Sequence, residues 1–435
     1  MNSRVLEVVV ASLGSGGDGV AETEEGRLFI PYAAPGDTLR VRLPETVSGT
    51  LRAEIVERLA DGPDRQAPIC SHFTKCGGCA VQHLTSSAYL AWKQSLVADA
   101  LSHRGIDPAA VENLVPGRIG RRRRTRLHAK VTERGVVLGY LTARSHRIVA
   151  VSACPILVPP IVAFLAPLRG LLTYFLCRGQ AAESAVTLCD SGLDLTLAMG
   201  KSLRIADRER LVAFADTHNL ARLSWQPFQR GKAGELETII RRLPPTIAYA
   251  GIPVEIPPDA FVQATEEGET VLRDAVLAAI AGSSRVADLY AGCGAFSLPA
   301  AAAGVHVLAV DFAPNQLAAL ESAARHARFG EFVRTEARDL TRRPLRGVEL
   351  ELFDAVILDP PRAGAVVQAK LLADSSVPAV IYVSCNPASF ARDARILIDG
   401  GYALQSVTPV DQFLFSPHVE LVANFRKIAN DLTDA

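Results

Sequence analysis

Three apolar runs in the C-terminal part of the chain end in residues suited to chemistry, and this pattern restricts the fold more than any other feature. Ile381-Tyr-Val-Ser-Cys-Asn-Pro387 carries apolar or β-branched residues into a small polar residue and a cysteine, after which Asn386-Pro387 starts a turn. Ala355-Val-Ile-Leu358 ends the same way in Asp359-Pro-Pro-Arg362, and Arg285-Val-Ala-Asp-Leu-Tyr290 runs into the glycine loop Ala291-Gly-Cys-Gly294. Such runs suit parallel strands buried on both faces. In open α/β sheets ligands bind beyond the carboxyl ends of these strands. The three ends therefore predict a nucleophilic thiol, a carboxylate and a nucleotide-type loop on one rim.

The glycine loop follows a strand and precedes the alanine-rich helix expected at Leu298–Ala303, and the next strand, Val305–Val310, ends in Asp311. The glycines let a ligand approach the backbone, and the acidic residue suits a ribose diol. The third glycine of the dinucleotide fingerprint is missing. That argues against a nicotinamide cofactor and for a nucleoside such as S-adenosylmethionine.

Upstream, 435 residues leave room for two to four domains in all. Residues 1–60 alternate apolar and polar positions over Arg4–Ser12, Arg27–Tyr32, Asp37–Leu43 and Thr50–Leu59, parted by Gly, Asp and Pro. Short strands of this kind suit a five-stranded oligonucleotide-binding barrel, or a barrel of other function. Leu13–Val20 is glycine-rich but precedes no helix, so it is read as a loop that holds no phosphate. Residues 90–245 read as an α+β domain: a helix capped by Thr85 or Ser86 and running to about Ser102, hairpins pairing Gly135–Tyr140 with Arg147–Val151 and Ala185–Leu188 with Leu193–Ala198, and an apolar helix at about Pro160–Leu176. A helix at Glu266–Ala281 opens the alternating β/α part, which continues to Arg426.

Lys and Arg balance Asp and Glu at 46 each, so partners must be read from local charge. The densest positive run, Arg121–Arg126, lies in a strand-like setting and is expected to contact RNA phosphates. Of eight cysteines, Cys70, Cys76 and Cys79 stand close together and Cys154 precedes a proline far downstream. Four thiolates can hold an iron–sulfur cluster or a structural zinc, with His72 and His83 as further zinc candidates. Cys177, Cys189 and Cys293 are taken as small packing residues. No run approaches the roughly 18 to 20 apolar residues that cross a membrane, and Met1-Asn-Ser-Arg-Val-Leu6 lacks a signal-peptide core, so a cytoplasmic protein with no membrane partner is expected.

Together these pieces resemble the RNA uracil-C5 methyltransferase family, and within it the iron–sulfur branch with an N-terminal TRAM domain, whose best-known members methylate 23S ribosomal RNA. The resemblance runs from the barrel through Cys-x5-Cys-x2-Cys, the Asp288–Gly294 loop and Asp359-Pro-Pro-Arg362 to Ser384-Cys-Asn-Pro387 and a late His418-Val-Glu420. It implies a TRAM barrel over 1–60, an iron–sulfur loop over 61–89, a central RNA-contacting α+β domain over 90–245 and a Rossmann-like class I methyltransferase domain over 246–435. It implies that Cys385 is the nucleophile and Glu420 the general base. Gln263, Tyr290, Asp311 and Asp359 would line the S-adenosylmethionine site, with Asp339 the choice for the adenine contact. Cys70, Cys76, Cys79 and Cys154 would hold a [4Fe–4S] cluster. The sequence departs from the family pattern at Ala295 and Thr265, where Asn is common, and in a shortened run, Ser416-Pro417, before His418.

The implied chemistry explains the residue types. Uracil C5 is a poor nucleophile, and a thiolate adding to C6 makes it electron-rich enough to take a methyl group. A base must then remove the C5 proton before the thiol can leave. The expected substrate is 23S ribosomal RNA, with a transfer-RNA uridine as runner-up, and the expected state is a monomer. Two rivals are a non-catalytic RNA-binding protein of the same fold and an amino-group methyltransferase using the Asp-Pro-Pro turn, which needs no cysteine.

Overall fold

The computed structural model describes residues 4–24, 26–43, 51–229 and 232–428. Its N-terminal part is a β-barrel built from two small sheets, one of Val5–Val9, Thr38–Arg42 and Glu54–Ala60, the other of Ser12–Leu13, Gly19–Thr23, Gly26–Ile30 and Leu51–Arg52. Thr50, the expected start of the last strand, lies outside the described residues. Period-two alternation sets the inner face: Leu39 and Val41 are buried with Val8, Leu28 and Ile30, while Arg40 and Arg42 point outward. The glycine-rich stretch read as a loop ends in a strand, Gly19–Thr23. Its glycines serve close packing: at Gly17, φ is +81° and an added Cβ would lie 2.6 Å from Val81 of the cysteine segment.

Residues 61–85 form turns with a single isolated bridge, between Arg65 and Leu84. The buried Asp37 carboxylate pins this segment to the barrel by accepting from Ala34 N (2.7 Å), Gly62 N (2.9 Å) and Arg65. Thr85 then caps the helix Ser86–Ser102. Trp92 on this helix donates to the Gly14 carbonyl at 3.0 Å, tying helix to barrel.

The central domain is an eight-stranded sheet with helices Pro159–Phe175 and Ile205–Thr217. Both expected hairpins are present. The second helix and the strand after it, Arg222–Gln229, which pairs parallel to Gly192–Met199, were not expected. Only Asp207, Leu211 and Ala215 of that helix are buried, so its sequence carries too little apolar periodicity to reveal it.

The C-terminal domain is a seven-stranded sheet whose strands we label β1 (Arg285–Leu289), β2 (His306–Asp311), β3 (Val333–Ala337), β4 (Ala355–Leu358), β5 (Ala379–Ser384), β6 (Tyr402–Val410) and β7 (Glu420–Lys427). Their order is β3-β2-β1-β4-β5-β7-β6, parallel from β3 to β5, with β7 antiparallel to both its neighbours. β4 and β5 are buried along their whole length, as expected of a sheet covered on both faces. The strand order runs outward one way from β1 to β3 and the other way from β4 to β5, so the carboxyl ends of β1 and β4 open a crevice between them. Among the described residues no helix is long and apolar enough to cross a membrane.

Candidate active site

The glycine loop leaves β1 through Tyr290, whose φ of +67° is unusual for a non-glycine residue. Gly292 donates its N–H to Asp311 Oδ2 (2.9 Å), and Ala313 N donates to Oδ1 (2.8 Å), so the carboxylate at the β2 end is fixed by backbone on both oxygens. At Gly294 an added Cβ would lie 2.4 Å from Leu320, so glycine is what lets the loop pack on the helix Pro314–His326 after β2. Beneath the loop, on β1, Asp288 is buried. Ser297 Oγ donates to its Oδ2 (2.5 Å), its Oδ1 has no partner, and burial pushes its carboxyl up to about 7.

At the neighbouring strand ends stand Asp359 after β4, Cys385 after β5 and Glu420 at the start of β7. The antiparallel register ends by pairing Ser384 with Leu421, so Cys385 and Glu420, the next residues, stand at the same end of the β5–β7 pair. Burial pushes the Cys385 thiol up to about 11. The Glu420 and Asp359 carboxylates add to that shift and the Arg362 guanidinium opposes it. Burial, followed by Asp359, holds Glu420 well above the usual carboxylate range. Asp359 is pushed up to about 7 by burial and by Asp288 and Asp311. Thiol and carboxylates thus share one electrostatic environment.

The turn after Cys385 is locked by residues whose roles the sequence did not reveal. Asn386 caps the next helix through Ala388 N (3.2 Å) and donates Nδ2 to the Arg362 carbonyl (2.9 Å), which also accepts from Ser389 Oγ (3.0 Å). Arg362 reaches His418 Nδ1 at 3.4 Å. Burial and the charges of Arg362, Lys93 and Arg122 lower His418 to about 4, leaving it neutral near pH 7.

Tyr290, Asp311, Asp359, Cys385 and Glu420 therefore share one rim. Asp339 lies near Tyr290, whose hydroxyl is pushed up to about 12 by burial and by Asp393 and Asp339. The Asp339 carboxylate caps Thr341 N (3.0 Å) and pairs with Arg342 (3.4 Å). Gln263 is buried and its Oε1 accepts from Gln412 Nε2 at 3.1 Å.

The expectation of a phosphate-facing arginine run requires correction. Arg121 pairs with Glu267 (2.9 Å), Arg123 with Glu269 in a buried contact (2.6 Å) and Arg126 with Asp259 (2.8 Å). Arg124 donates to the Val262 carbonyl (2.8 Å) and stacks over Phe261, and Arg122 stacks over Phe413. The positive run meets a negative segment of its own chain and joins the central sheet to residues 259–269. Sequence alone could not show that pairing.

Cys70, Cys76, Cys79 and Cys154 line one cavity of about 520 Å³, together with Tyr140 and His418. All four are free thiols. Burial pushes Cys79 up to about 12, with Cys154, Cys76 and Cys70 adding to the shift. Among the described residues, no three His, Cys, Asp or Glu side chains are placed to hold a metal ion. His72 lines the cavity, whereas His83 is buried against Phe73. Cys189 and Cys293 are buried as packing residues, but Cys177 is exposed and packs nothing in the core.

The sheet order, the glycine loop with its acidic partner and the rim of carboxylates define a Rossmann-like methyltransferase fold with an added cysteine at a strand end. Comparison with known proteins narrows the class. Residues 252–427 match the model of the tRNA (uracil-5-)-methyltransferase family, and residues 1–56 match the TRAM domain. The chain is 41% identical to an uncharacterised RNA methyltransferase of Brucella suis biovar 1, over 98% of this chain and 99% of the relative. It is 31% identical to the 23S rRNA (uracil(1939)-C(5))-methyltransferase of Shewanella sediminis, over 97% and 96%. The solved tRNA (uracil-54, C5)-methyltransferase of Pyrococcus abyssi, in complex with S-adenosyl-L-homocysteine, superposes with a TM-score of 0.76 at 22% identity, over 96% of this chain and 99% of that one. The chain belongs to the RNA uracil-C5 methyltransferase family and is an enzyme of that class.

Proposed function

We propose that this enzyme forms 5-methyluridine in 23S ribosomal RNA through a covalent bond between Cys385 and C6 of the target uracil. The observation that supports the chemistry is that the β5–β7 register ends next to both Cys385 and Glu420, and that the Glu420 charge raises the Cys385 thiol. The choice of RNA is supported by likeness to the Shewanella enzyme over nearly the whole chain.

S-adenosylmethionine, when bound, supplies the methyl group from a sulfonium. Asp311, already oriented by Gly292 and Ala313, holds the ribose diol, and Tyr290, Gln263 and Asp339 complete the nucleoside site. Asp288 and Asp359 are raised to about 7 chiefly by burial, and a cationic ligand at the loop would favour their ionised forms. Cys385 gives up its proton to solvent water and its sulfur bonds to C6, while the C5–C6 electron pair moves towards the C4 carbonyl as an enolate. Arg362 favours the thiolate. C5 would take the methyl group as the sulfonium–methyl bond breaks and the donor leaves as a neutral thioether. Glu420 then removes the C5 proton, the C5–C6 double bond reforms and the sulfur leaves. A buried carboxylate held at a high pKa is a strong base for this step.

Cys70, Cys76, Cys79 and Cys154 would hold a [4Fe–4S] cluster. The support for this reading is that all four thiols line one cavity. A cubane takes one thiolate at each of four irons, so its ligands stand apart. Methyl transfer needs no electrons, and the cluster's part would be to brace the loop. The barrel of residues 1–60 and the central domain of 90–245 would contact RNA, residues 61–89 carry the cluster, and 246–435 the chemistry.

The test is to map 5-methyluridine in 23S ribosomal and transfer RNA from cells with and without the protein. One 23S position should lose its methyl group. Loss confined to a transfer-RNA position would move the substrate to the class that the Pyrococcus neighbour acts on. Tritium release from C5-labelled uridine separates C5 transfer from methylation of an amino group.

A further inference from the structure

The loop between β6 and β7 delivers Glu420, and it is held by residues far away in sequence. Lys93, on the helix Ser86–Ser102, is fully buried. Its ammonium donates to Asp411 Oδ1 (2.9 Å), to the Phe413 carbonyl (3.2 Å) and to the His418 carbonyl. The three acceptors span the loop from its first residue to two residues before Glu420. Tyr89, one turn earlier, donates its hydroxyl to Asp411 Oδ2 (2.5 Å) and accepts from Phe415 N (2.9 Å).

A buried ammonium is costly to desolvate and persists only where it is paired and hydrogen-bonded. A core lysine that served packing alone would need no charge. Here the three hydrogen bonds of one ammonium are all spent on one loop, and each fixes a backbone or carboxylate oxygen at a defined place. We propose that Lys93 is a positioning residue for proton removal: it fixes the 411–419 loop so that Glu420 stands against the Cys385-bound base. His418 belongs to this loop and meets Arg362, which follows β4, at 3.4 Å, so loosening the loop also disturbs that contact. The inference rests on the Cys385 and Glu420 chemistry proposed above.

The test is Lys93→Met, which keeps the length of the side chain and removes its charge. Turnover should fall on the order of 10²-fold, as for a small displacement of a reacting group. KM for RNA and for S-adenosylmethionine should stay within about twofold, since ground-state binding does not use Glu420. The decisive readout is a methylated protein–RNA adduct stable to denaturing gels, which accumulates only if the step after methyl transfer is slowed. Arg222→Met is the matched control. It breaks another buried ion pair, with Asp194, in the central domain (2.6 Å). That variant should lose stability without accumulating adduct. If Lys93→Met does not fold, Tyr89→Phe removes two of the same loop contacts and should give the adduct in smaller amount.

Glu420→Gln is run in parallel. Adduct in Glu420→Gln but not in the folded loop variant overturns the role of Lys93. Equal adduct in Arg222→Met also overturns it, because general loosening then explains the effect. No adduct in Glu420→Gln instead places the fault in the chemistry proposed for Cys385 and Glu420.

Discussion

The strand-end rim and the cysteine cavity both gather reactive side chains from distant parts of the chain, by opposite means. At the rim Asp311, Asp359, Cys385 and Glu420 each sit at or next to the end of a strand, so the hydrogen-bond register of one sheet places them. In the cavity, Cys70, Cys76 and Cys79 stand on turns between 61 and 85 that share one isolated bridge, and Cys154 lies on another loop. That segment is held by the Asp37 carboxylate and by Ala80 and Val81 N–H groups donating to Phe415 O (2.8 and 3.2 Å). A sheet fixes its residues whether or not a ligand is bound. A loop held at a few points has fewer constraints, and a group bound by all four thiols would add the rest.

Substitutions on the two sides should therefore fail differently. The largest effect is expected at the rim. Cys385→Ala should lower turnover by at least ~10⁴-fold, since no adduct can form. Its melting temperature, RNA binding and cofactor binding should stay near those of the parent. A loss of stability comparable to the loss of activity would show that the rim is not held by the sheet alone. Cys79→Ser should show the reverse balance. Anaerobically prepared parent protein should carry about four irons and a broad visible band. The variant should lose both, melt several degrees lower and keep part of its activity. A colourless parent holding one zinc would replace the cluster with a mononuclear site.

The smallest effect separates the buried carboxylates from the thiols. Asp288 is raised in the fold from 3.8 to about 7, so its neutral form stabilises the protein at low pH. That contribution is complete below 3.8 and is lost as pH rises towards about 7. Asp288→Asn keeps a neutral side chain. Its melting temperature should match the parent's in acid, rise above it as pH increases, and keep a constant lead above about pH 7. A difference that does not vary with pH would mean that the fold leaves the Asp288 carboxyl at its ordinary value.

The same contrast explains what could be read from the sequence. The strands ending in Tyr290, Asp359 and Cys385 announced themselves as apolar runs, because both faces of a parallel sheet are covered. Glu420 looked like an ordinary strand carboxylate, and only the pairing of β5 with β7 brings it to the strand end that carries Cys385. The helix Ile205–Thr217 was hidden by a mostly polar surface, and the strand Gly19–Thr23 by glycines that serve close packing. The arginines from 121 to 126 misled because charge density is visible in sequence and its partners, Asp259, Glu267 and Glu269, are not. Lys93 was invisible for the same reason, since a lysine in a helix reads as solvated until the loop it holds is seen.

The central claim is that Cys385 bonds to the uracil and Glu420 releases it. The most direct measurement is a denaturing gel of Glu420→Gln incubated with 23S ribosomal RNA and methyl-labelled S-adenosylmethionine, beside the double variant Cys385→Ala/Glu420→Gln. The single variant should trap a covalent protein–RNA band carrying the methyl label, because the C5 proton stays in place and the thiol cannot leave. The double variant should show no band. Normal turnover by Glu420→Gln, or a labelled band that survives the loss of Cys385, would contradict the assignment.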